Sequence, residues 1–138
     1  MAKHIVACNV DTLLAGGSPE AVELIAKVRL ADDSKERHLY SFASKYCSWH
    51  NPAEFPIYDS RARNTLWKYR RQDKFHDFSS EELWCYNGYG KFREIVDAFR
   101  DYYGLREFSF KEIDKFLYWF DLLGTYDIVP IAARQAES

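Results

Sequence analysis

Three times along this chain a helix-capping residue is followed, three places on, by a glutamate. Asp33 with Glu36, Ser79 with Glu82 and Ser109 with Glu112 all have this form. In a capping box the first side chain accepts a backbone N–H of the new helix, and the glutamate reaches back to the cap. Each pattern stands ahead of apolar residues at helical spacing. After Asp33 come Leu39, Phe42, Ala43, Tyr46, Cys47 and His50. After Ser79 come Leu83 and Trp84, then a further stripe of Phe92, Ile95, Val96, Phe99 and Tyr103 that Gly104 stops. After Ser109 come Ile113, Phe116, Leu117, Phe120 and Leu123, closed by Gly124. Repeated helix starts of this kind leave little room for a sheet.

Two more starts complete the pattern. Ser18-Pro19-Glu20 reads as a cap, a proline at the first helical position and an acid in the first turn. It predicts a helix to about Leu30, with Val22, Ile25, Ala26 and Arg29 on successive turns. Asn51-Pro52 ends the helix that follows Asp33, and Pro56 keeps Phe55 out of a helix. Asp59 is then placed to cap a helix from Ser60 to about Arg71, with Ala62, Thr65, Leu66 and Tyr69 inward. Gly88 and Gly90 read as a turn. Residues 1–17 stay ambiguous, since His4–Cys8 suits a short strand or a helix start. The tail from about residue 128 reads as loosely held. The expectation is one all-α domain over residues 1–138, with five or six helices.

Composition narrows what such a domain can do. Ten Tyr, ten Phe and four Trp in 138 residues predict a core filled with rings. The exceptions are Tyr118, which the inner face of its helix pushes outward, and Trp119. The net charge of -2 supplies no global attraction to nucleic acid or membrane, so a basic surface must be local. Cys8, Cys47 and Cys85 form no CxxC or Cys/His cluster, so the expectation is no metal and no cofactor. Their number suits a reducing, cytoplasmic setting. The first residues lack a long apolar run, so no membrane span or signal peptide is expected.

The chemistry-bearing residues gather between Ser41 and Lys74. Asp59 at a helix start is either a cap alone or a carboxylate facing a substrate. Ser41 and Lys45 lie one turn apart on one helix face, where Lys45 is a surface lysine or a nucleophile. His50 precedes the Asn-Pro turn, where it interacts with the last carbonyls or serves as an acid–base group. Cys47 falls on the apolar stripe and reads as a buried small hydrophobe. Arg61, Arg63, Trp67, Lys68, Arg70, Arg71 and Lys74 place cations and an indole on one helix. That mixture either suits nucleic acid, because rings stack on bases and cations meet phosphates, or is an exposed helix face balanced by acids elsewhere, such as Glu81 and Glu82.

The segment Phe55-Pro56-Ile57-Tyr58-Asp59, followed by Asn64-Thr65-Leu66, resembles the helix-hairpin-helix DNA glycosylase superfamily. The resemblance covers Ser41 to Leu66. In that family the aspartate matching Asp59 is required for base excision. Bifunctional members carry a lysine nucleophile about 18 positions earlier, where this chain has Ser41. The resemblance therefore implies a glycosylase-like core, DNA binding, and monofunctional excision, an N-glycosidic hydrolysis. The family's hairpin glycines are replaced here by Arg37-His38-Leu39-Tyr40, and its lysine is absent. The alternative is a non-catalytic protein-binding module, an inhibitor or adaptor, on the same helical scaffold. The oligomeric state is not written in the sequence.

Overall fold

Two of the three capping boxes form as the sequence predicts. In the computed structural model, which describes residues 10–29, 36–86 and 88–123, Ser79 Oγ accepts the Glu82 N–H at 3.2 Å. Glu82 Oε1 accepts the Ser79 N–H in return, at 3.1 Å. Ser109 and Glu112 make the same reciprocal pair. The described residues form α1 (Asp11–Ala15), α2 (Glu20–Ala26), β1 (Lys27–Arg29), β2 (Glu36–His38), α3 (Tyr40–His50), α4 (Ser60–Asp73), α5 (Ser80–Leu83), α6 (Tyr89–Tyr102) and α7 (Phe110–Leu123). The result is a single all-α domain carrying one small ribbon.

The ribbon is where the first expectation fails. Helix α2 stops at Ala26, short of Leu30, and β1 pairs antiparallel with β2, Lys27 lying opposite His38. Glu36 is therefore a strand residue and not the third residue of a helix. The physical reason lies in the residues just after Asp33. Ser34 to His38 supplies no apolar residue to bury, and a helix without a buried face gains little from tertiary packing. Helix α3 begins only at Tyr40, where such a face becomes available.

That face is turned relative to the expected stripe. Ala43, Ser44, Cys47 and Ser48 are buried, whereas Phe42 and His50 are exposed. Ser44 explains the turn. Its Oγ accepts the Tyr58 N–H at 2.9 Å and donates to the Ser41 carbonyl at 3.1 Å. Burying this hydroxyl is tolerable because both partners are satisfied.

Helix α4 follows its expectation closely. Asp59 is extended at φ -156°, its Oδ1 accepts the Ala62 N–H at 2.8 Å, and Ala62, Thr65, Leu66 and Tyr69 are buried. Gly88 opens α6 at φ 97°, a left-handed conformation that disfavours a side chain. Gly90 is helical, not part of the turn. Tyr102 is 55% exposed, against the expectation that it joins the core. Of the ambiguous residues 1–17, those from 10 on are described and carry α1, while residues 1–9 with Cys8, and the tail from residue 124, lie outside the described residues.

Two ring clusters build the core. Tyr69 of α4 packs on Phe99 of α6 at 5.3 Å and on Phe120 of α7 at 5.1 Å between centroids. Tyr58 and Tyr89 meet Phe92 beside the buried Val22, Ile25 and Cys47. Between these clusters runs the extended segment Phe55–Tyr58. Its polar backbone groups are answered by side chains from three helices. Tyr89 Oη donates to the Pro56 carbonyl, Asp114 accepts the Ile57 N–H, and Ser44 Oγ accepts the Tyr58 N–H. Buried backbone groups demand such partners. These three bonds fix where Asp59 emerges.

Candidate functional site

The N-terminus of α4 borders a cleft of about 690 Å³ shared with α3 and α7. Asp59 and Lys45 both line it, so the structure brings these two predicted residues together. Asp59 is at once a cap and a cleft residue. Oδ1 serves Ala62, and no hydrogen bond to Oδ2 is found among the described residues. The remaining wall comes from Trp49 on α3 and from Lys111, Asp114, Lys115, Tyr118 and Trp119 on α7.

Asp114 is the residue that sequence reasoning missed. Its two carboxyl oxygens each lie 3.1 Å from the Ile57 nitrogen, which donates to them. Burial pushes its pKa up to about 8, and the negative charge of Asp59 adds to that, against the lowering effect of the Ile57 N–H. At neutral pH Asp114 is therefore largely a carboxylic acid, able to donate a proton. One signal in the sequence pointed to it. Lys111, Asp114, Lys115 and Tyr118 recur at i, i+3, i+4 and i+7, a polar stripe beside the apolar one. No local rule links that stripe to Ile57, fifty-seven residues earlier.

The cleft also concentrates positive charge and exposed rings. Lys45, Lys111 and Lys115 have no carboxylate partner within ion-pair distance among the described residues. Trp49 is 85% exposed and Trp119 is 55% exposed. Rings this exposed contribute little to the core, and both stand at one concavity.

The other predicted catalytic residues fall elsewhere. Ser41 lines a second cleft, of about 790 Å³, with Lys45, Tyr58 and Arg63. Lys45 thus stands between the two hollows. His50 sits on neither wall: its ring packs on Tyr46 at 4.6 Å. Burial drives the thiols of Cys47 and Cys85 up to about 12, which leaves them inert as nucleophiles near neutral pH. No group of three or more His, Cys, Asp or Glu side chains suited to a metal occurs among the described residues.

The basic helix proves to be largely tied into the fold. Arg61 pairs with Asp121 at 3.3 Å and lies over the Tyr118 ring. Arg70 donates to the Phe78 carbonyl at 2.8 Å and stacks on Trp67. Trp67 itself packs on Phe78, and Lys68 reaches over Phe120. Arg63 is clasped by Tyr58 and Trp84. Arg71 and Lys74 remain exposed, Lys74 as the left-handed cap that ends α4. The even spacing of cations therefore reflects cation–π packing as much as a ligand face.

Comparison with known proteins adds a likeness without an activity. The model of the HI_0787_N family, described as an N-terminal domain, matches residues 1–54. An uncharacterized protein of Haemophilus influenzae is 38% identical over 119 residues, covering 86% of this chain and 54% of that protein. The chain thus spans about half the length of the curated relative it matches. No solved structure matches. No helix among the described residues is long and apolar enough to cross a membrane.

Proposed function

We propose that this protein binds nucleic acid by taking an unpaired base into the Asp59–Asp114 cleft, where it hydrolyses the N-glycosidic bond as a monofunctional glycosylase would. The observation that carries the reading is two carboxyl groups in one cleft, held in opposite surroundings. Both are half-buried, but Asp59 gives one oxygen to the Ala62 N–H at a helix start, whereas both Asp114 oxygens lie on the Ile57 N–H and burial raises its pKa. A carboxyl whose pKa is raised by burial, with a second carboxyl beside it, is a pattern that supplies an acid. The volume of about 690 Å³ lies within the range of small-molecule sites.

In the reaction, the glycosidic C–N bond breaks and its electron pair leaves with the base. Asp114 gives its proton to the departing base nitrogen. The Asp59 carboxylate faces the positive charge that grows on the sugar, then accepts a proton as water adds to the sugar carbon. The products are a free base and an abasic sugar, and proton exchange with solvent restores both carboxyls. Trp49 and Trp119 offer stacking faces, and Lys111 and Lys115 offer charge to flanking phosphates.

The deciding experiment incubates the protein with a panel of lesion-bearing and mismatched oligonucleotides. Release of a base by the native chain, and none by Asp59→Asn, supports the reading. Asparagine caps helices as well as aspartate does, so the variant keeps its fold while losing the charge. Absence of base release across the whole panel rejects the hydrolase.

A second reading is a non-catalytic protein-binding module, and the 85% exposure of Trp49 favours it. Exposed tryptophans are frequent anchors of protein interfaces. It predicts capture of one protein that survives nuclease treatment and is lost on Trp49→Ala.

A further inference from the structure

Resting on the nucleic-acid reading above, we infer that the second cleft holds the next nucleotide of the same strand, with its phosphate on Arg63 and Lys45 and its base on Trp84 and Tyr86. Arg63 is the reason. Its guanidinium lies 4.5 Å from the Trp84 ring centroid and 5.6 Å from that of Tyr58. One terminal nitrogen donates to Tyr58 Oη at 3.1 Å. Its Nε is buried with no hydrogen-bond partner.

The surrounding acids do not answer it. Arg61, Arg70, Arg100 and Arg106 each have a carboxylate within ion-pair distance, and Arg63 has none among the described residues. Glu23 acts electrostatically on Cys85, as Arg63 does, but it is engaged by Tyr40 Oη at 2.6 Å and the Tyr89 N–H. A half-buried cation without a counter-charge is costly, and an incoming anion removes that cost. With one terminal nitrogen on Tyr58 and Nε buried, the other terminal nitrogen, which no described residue accepts from, is the one left for a phosphate oxygen.

The ligand class is set by the groups around the charge. Phe42, Trp84 and Tyr86 line the cleft and are 39%, 46% and 73% exposed. Free phosphate uses none of these rings, and an acidic peptide does not need three of them. A strand of nucleotides uses both features. Lys45 lines both clefts, so a strand leaving the first cleft crosses it to reach Arg63.

The test measures binding of decathymidylate to the full chain at several salt concentrations, beside binding of thymidine. Arg63→Gln weakens decathymidylate about tenfold and lowers the salt slope by about one. Tyr86→Ala, at a site too exposed to affect folding, weakens it about fivefold or more. Thymidine has no phosphate and fills the first cleft alone, so it binds all three proteins equally. Decathymidylate binding that ignores both substitutions, while thymidine still binds, overturns this inference and spares the first cleft. A native chain that binds neither ligand overturns the nucleic-acid reading and this inference with it.

Discussion

The clefts on either side of Lys45 are walled by the same helix, yet their charges are handled differently. On the α7 side, two carboxyl groups and three exposed lysines share about 690 Å³. On the Trp84 and Tyr86 side, Arg63 lies against the Trp84 and Tyr58 rings and its Nε is buried. In the first arrangement the charge of Asp59 adds to the rise that burial gives Asp114. The second fixes one charge and strips its hydration. Proton transfer needs the former, whereas recognition of an anion gains from the latter, because desolvation strengthens a Coulomb interaction. On the proposed reading, one fold therefore offers a reacting pocket and a holding pocket, with Lys45 lining both.

The largest effect that sharpens this contrast is the pH dependence of stability. Asp114 titrates near 8 in the folded chain, against an ordinary value near 4 when unfolded. Between those values the folded state keeps a proton that the unfolded state has released. Its contribution to stability is therefore fullest below about pH 4, falls as pH rises toward about 8, and is level above that. Asp114→Asn retains an acceptor for Ile57 and removes the titration. Above pH 8 the variant should exceed the native chain by on the order of a few kcal/mol in urea unfolding. Parallel curves for the two proteins across pH 4 to 9 would show that Asp114 is not desolvated.

Next in size is catalysis. Asp59→Asn should slow base release at least about 100-fold with the melting temperature preserved. Native activity should fall as pH rises through about 8, where Asp114 loses its proton. A rate that climbs through that range would remove Asp114 from the role of acid.

Smaller again is Ser44→Ala, which acts on both clefts at once. It leaves the Tyr58 N–H buried without its partner, so thermal unfolding should show a loss of about 1–3 kcal/mol. Both clefts should weaken together, because Tyr58 walls one and precedes Asp59 in the other. Loss confined to one cleft would mean that the two are built independently. The least effect is expected from Lys111→Ala and Lys115→Ala. Each should leave stability within about 0.5 kcal/mol and lower the salt slope of strand binding by about one.

Much of the scaffold was legible because its determinants are local. Asp59 and Ala62 are three residues apart, and Ser79–Glu82 and Ser109–Glu112 meet within one turn. The buried face of α4 and the stripe Phe92, Ile95, Val96, Phe99 and Tyr103 likewise follow helical spacing alone. The site was legible only in part. Asp59, Lys45 and the outward Tyr118 and Trp119 could be named from sequence, whereas the place of Asp114 in the same wall could not. The Asp33–Glu36 pattern misled because a capping box describes how a helix starts, not whether its face finds something to cover.

By itself the sequence determined an all-α chain, an aromatic interior, and an aspartate capping the helix after Phe55-Pro56-Ile57-Tyr58. Tertiary structure alone decided that α3 turns Ser44 inward, that Arg63 lies between rings with no carboxylate at ion-pair distance among the described residues, and that Asp114 accepts the Ile57 N–H. The division has one cause. Hydrogen bonds within a turn are set by residues three or four apart, which local spacing alone pairs. The proton on Asp114 is set by burial, which exists only once α3, α4 and α7 have packed.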